Sequence, residues 1–254
     1  MKSLHFRRSR RWWIVVLAGG VLILSVITYG LYSAYSWHTY QQRTLSWQSS
    51  SKQTLTIALS LKSTSETERV GKIAALKTAA RDIRQGQSHI CDPARLTGWQ
   101  LITTGARDAR EVCGVYTQKL DHVAEQLDMV TAYLEDEWAL KAALQPVLSL
   151  ASTVDEKNWE QTATTWSGVY TVVSATTPSL AFNPTKQQAA TVIGDIDTSW
   201  KELIAAHTKK DKTSFVTASA KLQASYGALA SINTVNESQL KSLSDRLQQL
   251  YDQL

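Results

Sequence analysis

The chain has 254 residues, 43% of them hydrophobic, with 27 Lys and Arg against 22 Asp and Glu. Five of the basic residues, Lys2, Arg7, Arg8, Arg10 and Arg11, stand in a leading tail that holds no acidic residue, so the rest of the chain carries 22 charges of each sign. A balanced remainder has no basic footprint for a phosphate backbone, which excludes nucleic acid as the expected partner and makes the pI of about 9.1 a property of the tail.

No charged residue occurs from Trp12 to Gln42, and eleven Leu, Ile and Val side chains fall between Ile14 and Leu31. At about 1.5 Å per residue the run from Trp13 to Tyr35 reaches roughly 34 Å, enough to cross a hydrocarbon core of about 30 Å with some tilt. Trp12 and Trp13 at one end, and Tyr29, Tyr32, Tyr35, Trp37 and Tyr40 toward the other, suit the two headgroup layers. This predicts a cytoplasmic basic tail over 1–11 and a transmembrane signal-anchor helix over 12–35, in contact with the lipid bilayer from Trp12 to Tyr35. By the positive-inside rule the protein is then a single-pass plasma-membrane protein, its N-terminus inside and its C-terminal domain outside. The competing reading is a signal peptide cleaved after Ser36, since Ala34 and Ser36 have small-x-small spacing; the apolar run exceeds the usual length of about 7 to 15 residues for a removable segment.

The next stretch, 36–64, reads as a stalk or first extracytoplasmic helix through Trp37, Tyr40, Leu45 and Trp47. Leu55, Ile57, Leu59 and Leu61 alternate as a strand would, but no second alternating run offers a partner, so helix is the expectation here too.

A helical bundle is predicted over 65–176. Ser65 with Glu68 forms a capping box, and Val70, Ile73, Ala74, Leu76, Ala80 and Ile83 follow at helical steps, giving a helix from Glu66 to Gln87. Two cysteines come next, Cys91 and Cys113, placed by the predicted topology where disulfides persist. A bridge between them is expected, closing a loop that contains Pro93, Gly98, Trp99 and Gly105. A zinc site with His89 or His122 matches no compact ligand spacing. Beyond the loop, Tyr116, Leu120, Val123, Leu127, Val130 and Leu134 form a seam for one long helix toward Gln145, which Pro146 is expected to end or kink.

Asp155 is followed by Trp159, Ala163 and Trp166 at the same offsets at which Asp211 is followed by Phe215, Ser219 and Leu222. This suggests a repeated hairpin, each copy opening on an acidic N-cap and an aromatic. A linker is predicted over 177–185, within the break from Ser174 to Thr185. The segment 186–254 is read as a helical hairpin, turning at Lys209 to Lys212, plus a terminal heptad helix. Its first helix buries Val192, Ile193, Ile196, Trp200, Leu203 and Ile204 on one face. The terminal seam, Leu240, Leu243, Leu247, Leu250 and Leu254, reads either as a closing helix or as a docking surface for another chain, with Trp99 as a further candidate contact.

The predicted fold is therefore all-α: one transmembrane helix, then an elongated antiparallel helical bundle with one disulfide-closed loop. No local signature of a hydrolase, metalloprotease or nucleotide-binding enzyme occurs, and no cofactor or metal is expected. Asp121 and His122 are neighbours in sequence and point to different faces; His207 lies near a helix C-terminus. Glu135, Asp136 and Glu137 fan around one helix and read as a solvated face. Asn236, Glu237 and Ser238 form a glycosylation sequon. The function expected is a non-catalytic, membrane-anchored extracytoplasmic interaction or scaffold protein that binds a protein partner or itself. The alternative is a ligand-binding or sensory module, which, behind so short a tail, would signal through a partner membrane protein.

Overall fold

The computed structural model describes residues 6–59, 66–90, 104–150 and 156–253. Among them all regular structure is helical: α1 (Phe6–Leu59), α2 (Glu66–Ile90), α3 (Thr104–Leu150), α4 (Trp159–Ala175), α5 (Asn183–Thr208) and α6 (Lys212–Asp252), with a 3-10 turn at Glu156–Asn158. The alternating Leu55, Ile57 and Leu59 lie at the end of α1, so the helical reading holds for them. The chain divides into two compact units, Met1–Thr54 with Asp82–Asp121, and Leu55–Arg81 with His122–Leu254.

In the first unit, the stretch Gly19–Thr39 of α1 is long and apolar enough to cross a membrane, and none of its most apolar window is buried. Three of its hydroxyl groups are satisfied within the helix. Ser25 Oγ donates to the Val21 carbonyl at 2.8 Å, Thr28 Oγ1 to that of Leu24, and Thr39 Oγ1 to that of Tyr35 at 2.9 Å. Such back-bonding satisfies a polar side chain within its own helix. Ile83 of α2 and Tyr116 and Leu120 of α3 are buried in this unit, and burial pushes the Tyr116 hydroxyl upward from its ordinary pKa.

The expected cysteine loop is shorter than the spacing of the two thiols suggests. Cys91 and Trp99 lie outside the described residues, whereas Gly105 and Cys113 fall within α3, so the later half of the enclosed stretch is helix. No disulfide is found among the described residues. α3 also runs through Pro146 to Leu150 instead of stopping. Proline there removes the bond to the Ala142 carbonyl, but Val147, one residue on, is buried in the core of the second unit, and packing outweighs the lost bond.

That core joins Val147 of α3 to Ala163, Trp166, Val169 and Val173 of α4, Val192, Ile193, Ile196, Trp200 and Leu203 of α5, and Ala218, Leu222 and Ile232 of α6. Paired side chains fix the directions. Gln188 meets Ser231, Trp200 meets Tyr226, and Glu202 meets Lys221, so α5 and α6 run antiparallel. Tyr170 lies over Gly194 and Ser167 bonds Asp197, so α4 and α5 do the same. A Cβ at Gly194 would stand 2.9 Å from the Tyr170 ring, so any side chain there would displace that ring. The expected linker shortens, since α5 already begins at Asn183 with Pro184 in its first turn, and the helices on either side of it share one core. Among the described residues no separate terminal helix occurs: the heptad seam from Leu240 to Leu250 belongs to the 41-residue α6.

The hairpin repeat survives in part. Asp211 caps α6, its Oδ1 accepting from Thr213 N and Ser214 N at 3.1 Å and its Oδ2 from Ser214 Oγ at 2.6 Å. These bonds hold its carboxyl below the usual carboxylate range. Asp155 lies outside the described residues; α4 starts at Trp159, with Asn158 in the cap position making no side-chain bond. On α6 the buried position is Ala218 instead of Ser219.

The α5–α6 turn sets Lys210 at φ 56, the left-handed region that favours glycine, with Lys210 N bonded to the His207 carbonyl and Asp211 N to that of Ala206. Lys210→Gly is expected to relieve about 1 kcal/mol and to raise the melting temperature by roughly 2 to 4 °C in calorimetry. An unchanged or lower melting temperature would show that the turn carries no strain.

Candidate functional site

The terminal seam was the leading sequence candidate, and the structure turns much of it inward. Leu243 and Leu247 are 4% and 0% exposed, Leu240 and Leu250 are half-buried, and Leu254 lies outside the described residues. Nearby, Thr56 Oγ1 of α1 donates to Tyr251 Oη at 3.3 Å. The two central leucines therefore close this chain's own bundle and offer no surface to another chain. Seam spacing alone does not say whose helix fills it.

A polar network that the sequence did not reveal joins α3, α5 and α6. Tyr133 is fully buried, and its hydroxyl donates to Asn236 Oδ1 at 2.7 Å, with the Asn236 carbonyl at 3.0 Å and Thr185 Oγ1 at 3.4 Å. Asn236 Nδ2 donates to Glu137 Oε1 at 3.0 Å, which also accepts from Lys141 Nζ at 2.7 Å. Each buried polar group in the set has a partner, as burial demands. Burial pushes the Tyr133 hydroxyl up to about 12; the Thr185 bond opposes the rise and the charge of Glu137 adds to it.

This network changes two expectations. Glu135 and Asp136 do fan apart, Glu135 to Lys77 at 2.6 Å and Asp136 to Ser179 N at 2.8 Å. Glu137, however, is buried and holds the network instead of facing solvent. The sequon asparagine lies in the middle of α6 with its amide nitrogen engaged, so the folded chain presents no free acceptor nitrogen there.

Aromatic side chains gather at the other end of this unit. Trp159 stacks on Phe215 with ring centroids 5.8 Å apart and meets His207 edge-on at 5.3 Å, while His207 Nε2 lies 2.9 Å from Glu156 Oε1. Further in, Tyr226 Oη accepts both the Trp166 and Trp200 indole N–H groups, at 2.9 and 3.0 Å. The tryptophans at 159, 166 and 200 are thus packed against this unit's own helices. His122 stands exposed, 3.5 Å from Glu125.

The described residues of this unit also form a concave feature. Ala139, Leu140 and Ala143 of α3, Val172 and Val173 of α4, and Pro178 and Phe182 of the linker line an open apolar cleft with a cavity volume of about 70 Å³, flanked by Asp136 and Lys186. No group of three His, Cys, Asp or Glu side chains placed to hold a metal ion occurs among the described residues. The arrangement offers an apolar hole with one charge of each sign, suited to holding a side chain or a small apolar group. Comparison with protein-family models, with curated proteins and with solved structures gives no match for this chain.

Tyr133→Phe deletes the donor of the network and leaves Asn236 Oδ1 without it, which is expected to cost about 1 to 3 kcal/mol in urea unfolding. The same variant tests the pH dependence. A phenol whose folded pKa is raised stabilises fully below pH 10 and loses that contribution as pH climbs toward about 12, so wild-type stability falls over that interval. The fall should be shallower in Tyr133→Phe; identical alkaline slopes would mean that the hydroxyl is not held in the core.

Proposed function

We propose that this protein is a membrane-anchored helical interaction or scaffold protein whose second unit works outside the plasma membrane, without catalytic chemistry. The observation that carries the reading is the stretch Gly19–Thr39, whose most apolar window is buried by none of the described residues. An exposed apolar surface of that length in water is costly, and a bilayer satisfies it while the helix closes its own backbone bonds. The basic residues from Lys2 to Arg11 favour the orientation with that end inside. In this topology Cys91 and Cys113 face an oxidising compartment, and a bridge between them would stabilise by about 3 kcal/mol in the chain-entropy picture.

The cleft beside Asp136 and Lys186 favours a second reading, an extracytoplasmic ligand-binding or sensory module that acts through a partner membrane protein. Its small size and open form suit a side chain better than an enclosed metabolite.

Protease added to intact cells is expected to remove an epitope placed after Gln253 while a tag before Phe6 survives. Protection of both, or loss of both, would overturn the orientation. Thiol titration of the unreduced, denatured chain should find no free thiol; two reactive thiols would rule out the bridge.

A further inference from the structure

Leu180 is 92% exposed, the most exposed large apolar side chain among the described residues of the second unit, in the turn that leads into α5. Two residues before it Pro178 lines the apolar cleft, and two residues after it Phe182 does too, while Leu180 itself does not. A knob and a hole are therefore built into one short segment of the same chain. We propose that a second copy of this chain docks here by a two-fold contact, in which Leu180 of each copy fills the cleft of the other.

Three features of the site fit that occupant. A two-fold contact is self-complementary, so a surface carrying both knob and hole closes after two copies, whereas separated features would build a filament. The rim is self-complementary in charge as well. Asp136 Oδ2 is held by Ser179 N at 2.8 Å and Lys186 Nζ by the Ser174 carbonyl at 3.2 Å, which fixes both at the edge. A carboxylate accepts more than one bond and an ammonium donates three, so each has capacity to meet its opposite across the axis. Val172, which lines the cleft, is itself largely exposed and adds apolar surface beside the hole.

The strength of the contact rests on the proposed tether. Burying one leucine is worth about 10- to 100-fold in affinity, so two knobs alone give a weak dimer in solution. Confinement to a membrane raises the effective concentration toward the millimolar range, where a weak contact is populated.

The test is energy transfer between donor- and acceptor-labelled full chains in lipid vesicles, read together with flotation of the same vesicles. The expected result is transfer above random proximity for the wild type, reduced at least tenfold in apparent affinity by Leu180→Asp and by Ala139→Gln, which fills the hole from an exposed helical position. A mixture of the two variants keeps one of the two contacts and should fall between the wild type and either variant alone. Transfer at the random level in the wild type, or undiminished in both variants, overturns the proposal. Chains that fail to float overturn the tether instead; the concentrated chain is then read by sedimentation. A dimer lost on Leu180→Asp supports the contact, and an unaffected dimer or a monomer throughout overturns it.

Discussion

Within Gly19–Thr39 the first helix is long and apolar enough to cross a membrane, and none of its most apolar window is buried among the described residues. Val21, Leu22, Ile23, Leu24, Val26, Ile27 and Leu31 all stand more than half exposed. Other exposed apolar residues of the described chain, such as Val70, Leu148 and Leu180, are scattered singly, whereas here seven fall within eleven consecutive positions. Ser25, Thr28 and Thr39 bond to carbonyls four residues back, which lowers the cost of carrying those hydroxyls into hydrocarbon. The proposed place of the protein in the cell follows from that one unsatisfied constraint.

The second unit solves the opposite problem, building a core with few of the usual fillers. The chain has three phenylalanines and two methionines against nine tryptophans. Tryptophan supplies area but brings an N–H that cannot be buried alone. Tyr226 answers for two of them by accepting both indole groups on one oxygen, and it sits on α6 where α4 and α5 both face it. Asp197 plays a similar part between α4 and α5, nearly buried, accepting from Ser167 Oγ at 2.5 Å and from Lys201 Nζ at 2.7 Å. With Glu137 and Tyr133, these groups fix which faces meet. Apolar stripes alone would tolerate a slide along the helix axis; a tyrosine hydroxyl that must find Asn236 does not.

Where periodicity was explicit, the sequence could be read to the residue. Every member of the α3 seam from Tyr116 to Leu134 is buried, and so are Val192, Ile193, Ile196, Trp200 and Leu203 of α5, with Ile204 partly buried, because steps of three and four put them on one face whatever covers them. The end of α2 followed the same rule from Leu76 onward, but Val70 is exposed: an apolar residue in register is not bound to have a neighbour. Local rules failed where they omit direction, as for Glu137 within an acidic run, while at Pro146 the helix continues where the proline could have ended it. The leucine seam at the end of α6 shows a further limit. Its spacing reports that something packs there, and only the fold tells that Leu243 and Leu247 are already taken. The cleft and the outward Leu180 had no signal in the sequence, since they arise from the path of a seven-residue connection between helices.

The most direct test of the account concerns the uncovered surface of α1. Cell membranes washed with alkaline carbonate should retain the wild-type chain, and replacing Leu24 and Ile27 together by Lys should release it to the supernatant with its helical circular dichroism intact. Release of the wild-type chain as a folded, soluble protein would contradict the account, because the apolar stretch would then be covered by something other than lipid.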